Sequence, residues 1–381
     1  MTNSGEIKSF PFSKDELKYE FWLSNIDGIG SKTIKQLMKY TSCASKIYEL
    51  SPSDLMAVRG ITEAEAAIII DSRKSFDIDA EWDKLSEKGI RFTTKNRDTY
   101  PKRLKDVQDA PFWLYYIGNL PAEDDMSVAV VGARACSDNG AKWAEDIGKK
   151  MADLGIGVVS GLARGIDGYA QRGAVSHGGR TYAVMGSGVD VVYPEEHWKL
   201  YEDILAQGGG IISEYKPGVK PRSALFPARN RIISGLCDVL IVVEARERSG
   251  SLITADFALE QNRDVFAVPG RMDDINSRGT NRLIKQGAGI ILSADDLVAD
   301  LGISVMGEGV RKNNSQLKLE KEEFIVYSNL DLRSKNLEEL SVNTGMAISE
   351  LAVVIMGLMD KGFITETAPG MYRIAAGAGK S

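Results

Sequence analysis

The sequence predicts an α/β protein whose largest part is a doubly wound parallel sheet. Between about residues 80 and 300, short apolar runs rich in Val and Ile alternate with amphipathic stretches of helical length. Most of these runs end in a turn that contains Gly. Apolar runs separated by helices in this way are typical of βαβ units, whose strands pair in parallel. The ligands of such sheets bind at the carboxyl ends of the strands, so a site is expected at those turns.

The strands are expected at seven short apolar runs bounded by Gly, Pro or polar residues. In chain order they are Val128–Gly132, Gly157–Gly161, Tyr182–Gly186, Gly210–Glu214, Val239–Glu244, Val265–Val268 and Gly289–Leu292. Helices are expected in the intervals, for example at Ala141–Leu154, Glu196–Ala206 and Ile253–Gln261.

Residues 1–78 are predicted to form a helical module with two Gly-containing turns, Ile26–Lys32 and Val58–Thr62. The pattern resembles a tandem helix-hairpin-helix (SAM-like) module, in which turn amides and the following helix N-terminus contact a DNA phosphate. Lys32 belongs to the first turn, whereas Glu63 and Glu65 follow the second and argue against phosphate contact there. A purely structural helical module stays open as the alternative.

The C-terminal part is predicted to be a linker followed by a winged helix. Residues 302–316 mix Gly, Asn, Ser and Lys without a period, and residues 317–381 have the order helix, turn, helix and β-wing. From Lys318 to Arg373 there are six basic and nine acidic residues, and the predicted recognition helix has Lys361 as its only base. Such a helix cannot neutralise phosphates, so packing or protein contact is favoured over DNA binding.

Composition argues against several classes of function. The three cysteines lie far apart without CxxC spacing, which argues against a disulfide framework and a zinc site and favours a reducing, cytoplasmic location. Two histidines are little material for a catalytic dyad or a metal cluster, so we expect neither a metal nor a cofactor. The N-terminus is polar and no apolar run approaches the roughly 20 residues of a membrane span, so export and insertion are not expected.

A basic stretch is anomalous on a chain whose formal net charge is −6. Five bases and no acid fall within sixteen residues: Lys216, Lys220, Arg222, Arg229 and Arg231. We interpret Phe226–Gly235 as a basic turn that puts Arg229 and Arg231 beside free backbone donors, and Ser249–Ala255 as a second turn that offers more amides. Because guanidinium groups and free amides hold phosphate oxygens, a nucleic-acid or nucleotide backbone is the leading ligand, over a merely solvated face.

The first turn of the predicted sheet, Val131–Ser137, has the elements of a phosphate pocket. Gly132 permits close approach, Arg134 supplies charge and Ser137 can cap the next helix. The turn lacks the GxGxxG fingerprint, which disfavours NAD.

The second turn, Ser160–Asp167, also joins a strand to a helix. Gly161 and Gly165 permit backbone approach, and Asp167 is predicted to be the N-cap of the helix. A general-base role for Asp167 is the weaker alternative.

The central part of the chain resembles the DNA-processing protein A (DprA/Smf) family. The motifs that carry the resemblance are Tyr100-Pro101, Leu114-Tyr115, Gly118-Asn119, Gly132-Ala-Arg134 with Ser137, Ser160–Asp167, Phe226–Gly235, Ser249–Ala255, Leu259–Gln261, Val268–Gly270, Asn281–Ile284 and Gly287-Ala288. They cover residues 100–298 densely.

The resemblance implies an extended Rossmann-fold homodimer without established catalytic activity. Members of the family bind single-stranded DNA, protect incoming DNA and load the recombinase RecA during natural transformation. In that process, competent cells take up DNA and incorporate it by DNA recombination. The implied organisation is a helical domain at 1–78, an extended Rossmann domain at 79–301, a linker at 302–316 and a winged-helix (DML1-like) domain at 317–381.

The resemblance also implies a set of residues that bind DNA or phosphate. They are Gly132, Arg134, Ser137, Ser160, Gly161, Arg164, Arg222, Phe226, Arg229, Asn230, Arg231, Ser251 and Thr254. Arg134 is expected at the centre, with Arg229 and Arg231 lining the pocket. Family members often have a lysine where this chain has Ser223, so Arg222 or Lys220 would supply that charge. Phe226 either stacks on a base or anchors the loop.

The main rival interpretation is a nucleotide-binding enzyme. The Gly turns are similar to those of nucleoside-monophosphate phosphoribohydrolases, which use a PGGxGTxxE loop and a glutamate beside the ribose. In Ser249–Ala255 the Pro-Gly-Gly opening is absent and no acid occurs before Asp256. A purely structural scaffold, the third interpretation, leaves the basic stretch without a role.

Overall fold

The computed structural model describes residues 14–300, 321–330, 335–361, 363–368 and 370–374. The chain divides into two compact units, residues 1–297 and 298–381. The first unit contains a nine-stranded sheet and the helices around it. The second is a smaller helical unit with a two-stranded sheet.

The nine strands of the first unit are β1 (Arg91–Thr94), β2 (Trp113–Gly118), β3 (Ser127–Val131), β4 (Gly157–Ser160), β5 (Thr181–Val184), β6 (Gly210–Ser213), β7 (Val239–Val242), β8 (Asp264–Ala267) and β9 (Gly289–Ile290). Their order in the sheet is β1-β2-β6-β5-β4-β3-β7-β8-β9. The seven strands from β6 to β9 in this order pair in parallel with one another, whereas β2 is antiparallel to both β1 and β6. The strand order reverses between β3 and β7, where a doubly wound sheet opens a crevice.

The helices of the first unit, in chain order, are α1 (Lys14–Ser24), α2 (Ser31–Thr41), α3 (Ala44–Glu49), α4 (Pro52–Ala57), α5 (Glu63–Ser75), α6 (Ile78–Glu87), α7 (Lys102–Lys105), α8 (Asp138–Asp153), α9 (Ile166–Ser176), α10 (Trp198–Ala206), α11 (Leu225–Gly235), α12 (Gly250–Glu260) and α13 (Arg278–Lys285). Helix α14 (Ala294–Asp300) begins in the first unit and ends in the second. Apolar side chains of α11, α12 and α13, such as Ile232, Ala255 and Leu283, share one core with the sheet. A second core joins the sheet to α1, α6 and α10.

All seven predicted strands are present, and each begins within one residue of its predicted start and ends one or two residues earlier than predicted. The sheet is therefore mostly parallel, as the sequence indicates. The prediction missed β1 and β2. β1 has only Phe92 as an apolar residue, and neither strand belongs to a βαβ unit, because both pair antiparallel at one edge.

The basic turn predicted at Phe226–Gly235 is wrong, because these residues form helix α11. Ile232, Ile233 and Leu236 recur at helical spacing and are buried against the sheet. Pro227 lies in the first turn of the helix, where the missing N–H would have no intrahelical partner in any case. The second predicted turn, Ser249–Ala255, likewise begins helix α12.

The two predicted Gly turns of the N-terminal region lie between α1 and α2 and between α4 and α5. Gly28 and Gly60 both have φ +89, a left-handed conformation that Gly adopts without strain. Glu65 forms a capping box with Thr62 at the start of α5 and accepts a hydrogen bond from Thr33 at 2.6 Å. This carboxylate therefore has a structural role.

Helix α1 contributes to two cores. Trp22 is fully buried among the N-terminal helices, with its ring 4.9 Å from that of Tyr48. The preceding residue, Phe21, packs its ring edge to face on Phe92 of β1 at 5.5 Å and on Trp82 of α6 at 5.4 Å. Aromatic pairs in this geometry stabilise beyond their buried area, so α1 fastens the helices to the edge of the sheet.

The second unit contains α15 (Lys321–Ser328), α16 (Leu337–Thr344), α17 (Ile348–Asp360), β10 (Ile364–Ala368) and β11 (Met371–Ile374). Leu340, Leu351, Ile355 and Leu358 form its core. The linker predicted at 302–316 lies outside the described residues, and the winged helix stays a prediction. Within the described ranges no single helix is long and apolar enough to cross a membrane, and Leu337–Thr344 with Ile348–Met359 pass that criterion only as a pair bent by 105°.

Candidate functional site

A cavity of about 530 Å³ opens at the carboxyl edge of the sheet, beside the crevice between β3 and β7. Its walls come from the turns after β3, β4 and β7, from the segment before α11 and from α11 itself. The lining residues are Val131, Gly132, Arg134, Ala163, Asp167, Tyr193, Pro221, Ser223, Phe226, Pro227, Arg229, Asn230, Ile233, Arg248, Ser249, Gly250, Ser251 and Thr254.

The turn after β3 brings Arg134 to this cavity. A Cβ on Gly132 would lie 2.6 Å from a side-chain carbon of Ile166, so only Gly fits between β3 and α9. Gly165 has φ +73, and a Cβ there would meet the carbonyl oxygens of Ala133 and Arg134. The two turns therefore pack backbone to backbone. This fixes the turn that carries Arg134, whose side chain is exposed.

Arg134 and Phe226 form a cation–π pair. The guanidinium carbon lies 5.0 Å from the ring centroid, and the Arg229 guanidinium lies 6.0 Å from the same ring. The ring of Tyr193 packs against Phe226 at 5.6 Å. These contacts are those of an anchor, one of the two roles expected for Phe226, while the more exposed Tyr193 ring stands beside it.

Ser137 lies outside this cavity, at the N-terminus of α8. Its Oγ accepts a hydrogen bond from the Gly140 N–H at 3.0 Å, so the predicted helix cap is present. The same Oγ donates to the buried carboxylate of Glu244 at 2.5 Å, and the Ser137 N–H donates to Glu244 at 3.0 Å. Asn276 donates a longer bond of 3.4 Å to Glu244. A carboxylate of the protein thus occupies the anion position at this helix N-terminus.

Asp167 and Arg229 both line the cavity and are buried, with 7% and 3% of their surfaces exposed. Asp167 accepts a hydrogen bond from the Gly161 N–H at 3.1 Å, and Arg229 donates to the carbonyl of Gly161 at 3.0 Å and to that of Val184. Burial raises the pKa of Asp167 and lowers the pKa of Arg229 to about 10, while the attraction between them opposes both shifts.

The prediction that Asp167 is an N-cap is wrong. Gly165 precedes the first residue of α9, and Asp167 lies within the first turn of the helix. Its carboxylate is turned inward, where the Gly161 N–H and the Arg229 charge offset part of the cost of its burial.

Helix α12 points its N-terminus into the cavity. Ser249 is the N-cap, and its Oγ lies 2.7 Å from the Ser251 Oγ and accepts from the Ser251 N–H at 3.3 Å. A Cβ on Gly250 would find no atom within 4 Å, so space remains in front of this terminus. Asn230 of α11 donates to the Gly250 carbonyl at 3.2 Å and accepts from Arg229 at 3.2 Å, which ties the two helices together.

The cavity brings together seven of the residues expected from the sequence, namely Gly132, Arg134, Phe226, Arg229, Asn230, Ser251 and Thr254. A smaller crevice next to it is lined by two more, Gly161 and Arg164, together with Arg134 and Phe226. Arg164 makes a bidentate ion pair with Glu196, from Nε to Oε1 at 2.6 Å and from Nη2 to Oε2 at 2.7 Å.

Four expected residues lie elsewhere: Ser137, Ser160, Arg222 and Arg231. Ser160 is buried and donates to the Val130 carbonyl at 2.6 Å. Arg222 is exposed beside the cavity, whose wall here is Pro221 and Ser223. The expectation that Arg231 lines the cavity beside Arg229 is not met. Side chains two positions apart on a helix point in nearly opposite directions, and Arg231 instead pairs with Glu214 at 2.8 Å.

The basic stretch is partly neutralised by acids that are distant in sequence. Lys216 pairs with Asp27 at 2.6 Å, in addition to the pairing of Arg231 with Glu214. Lys220 and Arg222 are exposed. The excess of positive charge that remains at the cavity therefore depends on arginines outside this stretch as well.

Arg248 and Tyr193 are site residues that the sequence reasoning missed. Arg248 is exposed, and within the described part of the chain it makes no ion pair. A signal for it exists, since Arg246 and Arg248 directly precede a helix N-terminus, where acids are normally preferred. Tyr193 comes from the segment after β5 and has no comparable signal.

Several known proteins are similar to this chain in sequence. A family model for DNA recombination-mediator protein A matches residues 91–302. Protein Smf from Synechocystis sp. is 36% identical over 296 residues, 76% of this chain and 74% of that protein. The DNA processing protein DprA from Streptococcus pneumoniae is 39% identical over 282 residues, 74% of this chain and 97% of that protein.

Two solved structures agree with these matches. The X-ray structure of the Streptococcus pneumoniae DprA superposes with a TM-score of 0.65 at 39% identity, covering 74% of this chain and 97% of that one. DNA processing protein A from Helicobacter pylori, a structure concerned with its single-stranded DNA binding mode, has a TM-score of 0.50 at 30% identity, over 55% of this chain and 95% of that one. Residues 91–302 include every residue that lines the cavity.

Proposed function

The chain belongs to the DNA recombination-mediator protein A family, and on that premise we propose that it is a DNA-processing protein that binds single-stranded DNA in the cavity at the carboxyl edge of its sheet. The observation that carries the proposal is the charge of the lining. Arg134, Arg229 and Arg248 line the cavity, with Asp167 as the only acid among the lining residues. Because Asp167 and Arg229 are buried and their charges attract each other, the charges offered to a ligand are those of Arg134 and Arg248.

A DNA phosphate is the ligand that this arrangement fits. The N-terminus of α12 adds backbone N–H groups and the partial positive charge of a helix. Ser249, Ser251 and Thr254 add hydroxyl groups around it. A phosphate held by guanidinium groups and amides carries no sequence information, so binding is expected to depend little on base sequence.

A single strand fits better than a duplex because the site is a recess. Duplex phosphates lie on the outside of a stiff cylinder, whereas a flexible single strand can turn a phosphate inward and place a base on an aromatic ring. Tyr193 is the ring most available for stacking, since Phe226 is already engaged with Arg134. Such stacking contributes about 1–3 kcal/mol per base.

The test is fluorescence anisotropy with a short labelled oligonucleotide, single-stranded and as a duplex, over a series of salt concentrations. We expect preference for the single strand and an affinity that falls steeply with salt, because bound phosphates release counterions. Equal affinity for the duplex, or an affinity that does not respond to salt, would contradict the proposal.

We further propose that the protein acts without catalysis, as a cytoplasmic homodimer that protects incoming DNA and loads RecA recombinase during natural transformation. The support is the family resemblance. The nucleotide-hydrolase alternative needs a free carboxylate beside the ribose, and Asp167 is instead buried and accepts a hydrogen bond from the Gly161 N–H. RecA filament formation on oligonucleotides covered by single-strand-binding protein, with and without this protein, tests the loading step.

A further inference from the structure

The second unit exposes apolar side chains that its own core does not use. Helix α17 contains nine consecutive residues, 351–359, without a polar side chain. Leu351, Ile355 and Leu358 point into the core. On another face, Val353 is 71% exposed, Met356 is 69% exposed and Met359 is also exposed. We call these last three residues the α17 ridge.

The ridge is continuous along the helix. Its members are three residues apart, so their side chains are neighbours on the helix surface. Val342 of the adjacent helix α16 is a further apolar side chain, 84% exposed. A helix that is apolar on more than one face is normally covered on each of them, and clustered exposed apolar residues mark interaction sites.

Charge indicates what covers the ridge. The exposed ionisable side chains of the unit, within its described residues, are predominantly carboxylates: Glu322, Glu338, Glu339, Glu350 and Glu366. The two lysines whose side chains are described are engaged, since Lys361 pairs with Glu323 at 2.7 Å and Lys335 donates to the Asn329 carbonyl at 2.8 Å. Glu350 is one helical turn before Val353 on α17.

We propose that the α17 ridge docks a basic amphipathic helix of a partner protein. Methionines adapt to differently shaped apolar partners, and an amphipathic helix lays its apolar face on such a surface. Glu350, one turn from the ridge, and the other exposed carboxylates of the unit favour a helix with basic flanks. They repel the phosphates of a nucleic acid, and they oppose a second copy of this unit, which would bring acid against acid. This proposal is independent of the DNA-binding cavity.

The experiment uses the full-length protein and a labelled synthetic peptide of leucine and lysine at helical spacing, about 14 residues long. We expect the peptide to bind, and a leucine–glutamate peptide of the same pattern not to bind. The double variant Val353→Ser, Met356→Gln should weaken binding at least about tenfold, or 1.4 kcal/mol. Both positions are exposed, so the variant should unfold at the wild-type temperature.

The matched control is Met272→Gln, a methionine 91% exposed on the first unit, which should bind the peptide as the wild type does. The proposal is overturned if the double variant binds the leucine–lysine peptide as well as the control does. It is also overturned if the wild type binds neither peptide, or if the double variant only changes the sedimentation coefficient, which would make a second copy the occupant.

Discussion

Helices α8 and α12 follow neighbouring strands and begin at the same edge of the sheet, yet the groups in front of their N-termini differ. At α8 the buried carboxylate of Glu244 accepts hydrogen bonds from the N–H and Oγ of Ser137. At α12 a side chain at Gly250 would meet no atom within 4 Å, and Arg248 precedes the N-cap residue Ser249. One helix N-terminus holds an anion of the protein itself, and the other is available for an anion from outside.

The difference indicates how a doubly wound sheet can have a ligand other than a dinucleotide. Such sheets usually hold a pyrophosphate at the helix that follows the first parallel strand. Here that position belongs to Glu244, and the Glu244 carboxylate also restrains the turn that carries Arg134. Under the proposed function the DNA phosphate is held instead near α12, in the cavity that Arg134 and Arg248 both line.

The largest effect is expected from Arg134→Ala. Losing a charge-assisted contact to phosphate should weaken single-stranded DNA binding by about 1.5–3 kcal/mol, measured by anisotropy at fixed salt. Arg91→Ala is the matched control, because Arg91 is also exposed and also lies over a ring, that of Tyr116 at 5.8 Å, at the far edge of the sheet. Equal affinities of the two variants would remove Arg134 from the site.

Glu244→Gln is expected to weaken binding several-fold, less than Arg134→Ala. The amide cannot accept all the hydrogen bonds that the carboxylate accepts, so the turn with Arg134 loosens. Electrostatics alone predicts tighter DNA binding for this variant, because a negative charge is removed near the site.

The control for this variant is Glu247→Gln, which removes the same charge from an exposed neighbour. In an Arg134→Ala background, Glu244→Gln should have little further effect, because the two residues act through one contact. An undiminished effect in that background would mean that Glu244 acts on the fold in general.

Asp167→Asn should change how stability depends on pH. Burial raises the pKa of Asp167, so the folded protein holds this proton more tightly than the unfolded chain does. The wild type should therefore lose stability relative to the variant as pH rises from about 4, the pKa of an unfolded Asp, through the raised pKa. Urea unfolding of both proteins at several pH values measures this, and parallel pH profiles would be the contrary result.

The smallest effect on DNA binding is expected from deleting residues 317–381. Their acidic balance makes phosphate contact unfavourable, so affinity should stay within a few-fold of the full-length value. A loss of about tenfold, equivalent to 1.4 kcal/mol, would show that the C-terminal unit holds DNA.

The local sequence pattern predicted the parallel strands well, because an apolar run rich in Val and Ile can be recognised from neighbouring residues alone. It failed for α11, where Pro227 and a run of bases suggested a turn although Ile232, Ile233 and Leu236 already had helical spacing. The edge strand β1 was missed because a single apolar residue, Phe92, gives no periodic signal.

Only part of the candidate site was predicted, because local sequence places some residues at the edge of the sheet but does not reveal their partners. Arg134 and Thr254 belong to turns and helix starts that sequence can place at the edge of the sheet. The partners of Arg231 and Lys216 come from distant segments, and sequence spacing contains no information about such distances. Glu244 was taken only as the end of a strand, because its role appears once α8 and β7 are side by side.

The most direct test of the open α12 terminus is Gly250→Asp, which gives α12 the internal carboxylate that α8 already has. The position is open to a side chain, and an acid in the first turn of a helix stabilises it, so the melting temperature should stay equal or rise. Affinity for single-stranded DNA should fall at least about tenfold, while Gly250→Asn, of equal size and no charge, should stay near the wild type. Equal affinities of the Asp and Asn variants would contradict the assignment of a DNA phosphate to this helix N-terminus.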